Sequence, residues 1–178
     1  MDRPLTPRST VRLVGAAAAI IVAVLLVWQL VAASHTAGTV REFQDVHQKY
    51  EVAFAVAEGS AGICENYNYL GLDDETHRAG FLKSATDFVD WYTPYETASA
   101  SYRAYLLANR ERIEDAARLT GIASVDREEQ RVLTNDQQMR ANIYKIDELL
   151  AVALVQDNSN DTRMQQVHER LRLLALQS

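Results

Sequence analysis

The sequence predicts an all-α protein: an N-terminal transmembrane helix continuing towards a stalk helix, then an up-and-down bundle of four or five helices. Three observations carry this. Residues 13–33, LVGAAAAIIVAVLLVWQLVAA, form a run of 21 residues without a charge. Beyond it, apolar residues recur at steps of three and four in one segment after another, the spacing that gathers side chains on one face of a helix. No segment alternates apolar and polar residues for long enough to propose a strand, and the joints between periodic segments are short, which favours antiparallel neighbours.

The apolar run matches a hydrocarbon core of roughly 30 Å at 1.5 Å rise per residue. Leu13 and Ala33 bound it, with Val27 and Trp28 towards its outer end, where an indole suits the interface. Arg3, Arg8 and Arg12 precede it against the single Asp2, so the positive-inside rule keeps the N-terminus cytoplasmic and exports the body. The chain then divides into a cytoplasmic tail (1–12), a signal-anchor transmembrane helix (13–33) and an exported helical-bundle domain (34–178). The competing reading is a cleaved signal peptide, since Val31-Ala32-Ala33 before Ser34 suits processing; an h-region of about 7 to 15 residues is shorter than this run. No cysteine stands directly after the run, where a lipid anchor would be attached. Gly15, Ala19 and Ala23 form a small-residue stripe that alanine-rich sequence produces readily by chance.

In the body, Val40, Phe43, Val46 or His47, Tyr50, Phe54 and Ala57 make one helical stripe, with Gly59 suited to a C-terminal cap. Residues 59–72 lack a sustained period and read as a loop. Asp73 or Asp74 opens the next helix, whose inner face is Phe81, Leu82, Ala85, Phe88, Val89 and Tyr92. Thr93-Pro94-Tyr95-Glu96 carries the signals of a helix start, which predicts a break or sharp kink there, a Pro-kinked continuous helix being the alternative. A helix from Pro94 to about Thr120 turns Ala98, Tyr102, Leu106, Ile113, Ala116 and Ala117 inward and stops at Gly121. Ser124 caps another reaching about Asp157, with Val132, Met139, Ile143, Ile146, Leu150 and Ala153 inward. Its first half, REEQRVLTNDQQMR, is polar enough to be expected in solvent or against a partner. Met164, Val167, Leu171 and Leu174 mark a terminal helix.

Composition agrees with one such domain. The 178 residues (20.0 kDa) are 48% hydrophobic and 24% charged, a globular balance. With Gly at 7, Pro at 3 and Cys at 1, collagen-like, low-complexity and disulfide-rich classes are excluded. Residues 35–178 carry 15 basic and 23 acidic side chains, a net charge of -8. Such a body is repelled by nucleic acid and by anionic headgroups, so no nucleic-acid role is expected.

The search for chemistry returns no catalytic, metal or cofactor assignment. Gly59-Ser60-Ala61-Gly62 is neither a phosphate-binding loop nor a nucleophile elbow. A carboxylate-bridged metal pair needs Glu-x-x-His on facing helices; the nearest approach is Asp74-x-x-His77, better suited to a helix cap. Cys64, alone, reads as a small buried hydrophobe, with a bridge to a second copy as the alternative. Six of eight tyrosines crowd between Tyr67 and Tyr105. Core filling explains Tyr92 and Tyr102, whereas Tyr67 and Tyr69, with Cys64 and Tyr95, are the candidates for an interface. Asn160-Asp161-Thr162 matches a glycosylation sequon.

The expectation is therefore a non-enzymatic, single-pass module without cofactors that binds another envelope or membrane protein, self included, as a scaffold, assembly factor or accessory subunit. Two alternatives stand beside it. The layout is similar to the exported four-helix domains of bacterial sensory receptors, which implies a small-ligand-binding bundle; no motif is shared, and no second span follows before Ser178. A periplasmic inhibitor or immunity protein also fits a compact acidic anchored domain.

Overall fold

A computed structural model describes residues 7–156 and 162–177, with side chains for residues 23–67, 70–155 and 162–176. The described residues form five α-helices and no strand: α1 (Pro7–Leu70), α2 (Glu75–Ala108), α3 (Arg110–Thr120), α4 (Val125–Gln156) and α5 (Thr162–Gln177). The fold is an all-α helical bundle with one long apolar N-terminal helix. Arg3 and the Asn160-Asp161 pair lie outside the described residues, as do the side chains of Arg8, Arg12, Leu13 and Tyr69.

Among the described residues, α1 is the one helix long and apolar enough to cross a membrane. Its described apolar run is bare. Val24, Leu25, Leu26, Val27, Trp28, Leu30, Val31 and Ala33 are all exposed.

From Thr39 onward α1 is half covered. Phe43, Tyr50, Ala57, Ala61 and Cys64 are buried on one stripe, and the helix continues past the exposed Gly59 and Gly62 to Leu70. The expected loop over 59–72 is thus corrected: residues 59–70 are helix, and the connection to α2 is 71–74. A helical glycine costs about 1 kcal/mol against alanine, which is less than burial of the flanking stripe returns. The left-handed residue that ends the helix is Gly71, at φ 88°, and not Gly59.

α2 runs back along α1, since Tyr102 meets His47 while Tyr95 meets Phe54. Asp74 caps its start by accepting the His77 amide at 3.0 Å. The helix passes through Pro94, so the alternative of a continuous helix is the one observed and the break at Thr93 is corrected. Phe88, Tyr92, Tyr95, Ser99, Tyr102 and Leu106 form one buried stripe on both sides of the proline. The carbonyl that Pro94 leaves without an amide belongs to exposed Asp90, where water can take its place. The interruption falls instead at Asn109 (φ -116°, ψ 16°), which ends α2 and begins α3. Gly121, at φ 75°, ends α3 as its position predicts.

α4 climbs beside α1, with Glu128 near His47 and Lys145 paired with Glu65. The expected inward set of α4, from Val132 to Ala153, is buried throughout. α5 returns beside α4, His168 lying 2.9 Å from Asp147 and Arg170 reaching Asp90 of α2.

Candidate functional site

The polar first half of α4 turns most of its circumference to solvent, as its composition predicts. Its inner face carries Glu128, Asn135 and Asp136 against tyrosines of α1 and α2, a polar layer through the middle of the bundle. Glu128 is only 3% exposed. The Tyr102 hydroxyl donates to its carboxylate at 3.0 Å, and the His47 imidazole lies 3.0 Å from the same hydroxyl and 3.3 Å from the carboxylate. Donor bookkeeping orders the chain. With the Tyr102 proton committed to Glu128, the His47 Nδ1–H donates to the Tyr102 oxygen, which leaves Nε2 to accept from the Arg131 guanidinium 3.5 Å away. Arg131 is held in turn by Glu51 at 2.7 Å.

One turn further along, Asn135 donates to the Tyr50 hydroxyl at 2.8 Å. The Asp136 carboxylate accepts from Tyr95 and Ser99 and pairs with Arg103. The rings that carry these hydroxyls form a ladder. Tyr50 stacks on Tyr102 with centroids 5.0 Å apart, and Tyr95 touches Tyr50, Phe54 and Tyr92 at 5.9 to 6.3 Å. Burial is the first cause that raises the hydroxyl pKa of Tyr95 and Tyr102 well above 10; for Tyr102 the neighbouring Glu128 charge adds to it.

The layer opens to solvent along a groove of about 640 Å³ whose walls include α1, α4 and the Ile122-Ala123 connection. Gln44, His47, Arg127, Glu128 and Arg131 line its polar side and Phe43 its apolar side. This size and mixture suit a small polar molecule. No group of three or more His, Cys, Asp or Glu side chains able to hold a metal occurs among the described residues.

The three interface candidates with described side chains are not gathered on one surface. Cys64 and Tyr95 are core residues, and Tyr67 is half-buried with its ring where a Cβ at Gly80 would stand. The side chain of Tyr69 is outside the described residues. The cluster that the structure does assemble, His47 with Tyr102, Glu128 and Arg131, was not singled out by sequence reasoning. A signal existed in the tyrosines at 50, 95 and 102, whose hydroxyls need partners when buried, and in a polar stretch of α4 long enough to supply them.

Burial raises the Cys64 thiol pKa to about 12, so it stays protonated and shielded. At pH 8 the native chain is expected to resist a thiol-specific reagent such as Ellman's disulfide and to react in full once unfolded in urea. Rapid native labelling would place the thiol at the surface. Comparisons of the chain with protein-family models, curated proteins and solved structures return no match.

Proposed function

We propose that the protein is a non-catalytic, single-pass membrane-anchored module that binds another envelope or membrane protein. In this reading residues 13–33 span the membrane with the N-terminus cytoplasmic. Residues 34–178 form an extracytoplasmic up-and-down bundle whose first helix continues the span. The length of α1 supports it: 64 uninterrupted residues reach about 96 Å, so anchor and bundle would share one rigid element.

The observation that carries protein binding is the outer face of α1 above the middle of the bundle. Val52, Val56, Gly59, Ile63, Asn66 and Leu70 succeed one another at steps of four and three, the heptad spacing that a partner helix packs against. Val52, Ile63 and Leu70 are 51 to 59% exposed on this side, while the opposite side of the same turns is core. Nearer the apolar run the outer face is instead charged, with Arg41, Glu42, Asp45 and Lys49.

Photo-crosslinking in the native membrane tests the reading. A photoreactive residue at Ile63 or Leu70 is expected to yield one common adduct, of the chain with itself or with a second protein, and one at exposed Glu148 of α4 is not. Equal labelling at all three sites, or none, would overturn it. The groove beside His47 favours a second reading, a small-ligand-binding bundle, for which a ligand-dependent rise in melting temperature of the chain is the measurement.

A further inference from the structure

We propose that the tip of α3, at Leu119, is a second membrane contact that rests in the outer interface of the bilayer beside α1. The inference rests on the reading of α1 as a membrane anchor. Its position follows from the register of α3 on α1. The Arg112 guanidinium reaches Glu42 at 3.2 Å and Thr39 at 3.4 Å. Seven residues further, about 10 Å along the helix, α3 ends at Leu119 and Thr120. The same distance back along α1 leads from Thr39 and Glu42 to Ala32 and its neighbours, the outer end of the uncharged run.

There the two helices enclose a niche of about 410 Å³, whose walls include Trp28, Ala32, Ala33, Thr36, Leu119 and Thr120. Leu119 is 74% exposed and Trp28 69%. Neither is covered by the bundle, and Gly121 turns the chain away immediately after the tip, which leaves the leucine at its end.

The occupant is lipid because the niche is continuous with the bare apolar run. Its α1 wall is the end of the proposed span, at the depth where indoles and apolar side chains meet headgroups and upper acyl chains. Charge does not draw it there. Arg118 pairs with Asp115, Arg112 with Glu42, and Arg110 with Asp126 and Glu129. The contact is therefore apolar and needs no anionic lipid. Two contacts, one through α1 and one through α3, would set the tilt of the bundle on the membrane.

The test uses the full chain in phosphatidylcholine vesicles, with an environment-sensitive fluorophore on a cysteine at position 27, 107 or 119 and quenching by lipids doxyl-labelled near the headgroup or along the chain. The unsubstituted chain, carrying only Cys64, supplies the labelling background. Leu107 is 65% exposed and lies in α2, past the interruption at Asn109, so that the length of α3, about 14 Å from Leu119 back to Arg110 at 1.5 Å per residue, stands between it and the tip. The labels of Val27→Cys and Leu119→Cys are expected to be quenched several-fold more than that of Leu107→Cys, with the shallow quencher acting best at 119. Quenching at 27 with position 119 no different from 107 would overturn the α3 contact and leave the anchor standing. Absence of quenching at 27 would overturn the anchor, and the inference with it.

Discussion

Alkaline titration is expected to unfold the bundle between about pH 10 and pH 12, helix content and tyrosinate absorbance changing together. Tyr95, Tyr102 and Cys64 are buried, and desolvation is the first cause that lifts each above its ordinary value, Cys64 to about 12. Tyr50 and Tyr92 move in the same direction for the same first reason. A group whose folded pKa exceeds its unfolded one binds its proton more tightly in the native chain. Its stabilisation is complete below the unfolded pKa, near 8.5 for cysteine and 10 for tyrosine, and is lost as pH rises towards the folded value. Each proton released only on unfolding costs about 1.4 kcal/mol per pH unit. With three such groups the slope reaches roughly 4 kcal/mol per pH unit, so a domain stable by about 5 to 15 kcal/mol is exhausted within a few units above pH 9. Circular dichroism and absorbance at 295 nm on one titration series check this. If the absorbance rose to the amplitude of all the tyrosines while the helices persisted, the buried hydroxyls would have ionised in place and the account would be wrong.

Truncating Tyr102 is expected to be among the most damaging single changes, and its two halves can be separated. Its ring is fully buried, stacked on Tyr50 and edge-on to His47 at 5.7 Å. Tyr102→Ala removes that packing and should cost about 3 to 5 kcal/mol. Tyr102→Phe keeps the ring and removes the hydroxyl that bridges His47 and Glu128. A carboxylate 3% exposed then loses a donor, at a cost of about 1 to 3 kcal/mol. Adding Glu128→Gln should make the pair less than additive, because the charge that required the donor is gone. Urea midpoints at constant slope measure all three. A neutral Tyr102→Phe would show that the buried chain through Glu128 contributes packing alone.

Different parts of this structure were legible in the sequence to different degrees. The inward positions of α4 and α5 read directly from three-and-four spacing, because a helix presents one face to a core and nothing else competes with that period. Two boundaries did not. Gly59 and Gly62 carry the marks of a helix end, and Thr93-Pro94 those of a helix start. Both sit inside helices because buried stripes cross them, from Tyr50 to Cys64 in α1 and from Phe88 to Leu106 in α2. Local propensity is worth about 1 kcal/mol at a glycine and about 3 at an interior proline, and a continuous apolar face exceeds both.

The candidate site was less legible than the fold. Cys64 and Tyr95 were singled out for what their side chains can do, whereas burial inside the chain decides that they face other helices. His47, Glu128 and Arg131 come from segments 81 to 84 residues apart, a juxtaposition that no local pattern encodes.

By itself, the sequence determined the all-α class, the uncharged N-terminal run and the faces of most helices, because hydrophobic periodicity and the lack of charge are local properties of the chain. Only the tertiary structure decided that α1 runs unbroken to Leu70, that the polar half of α4 closes on buried tyrosines, and that Leu119 stands beside Trp28. Each of these depends on which helix packs against which, and packing free energy is summed over residues that the chain brings together from far apart.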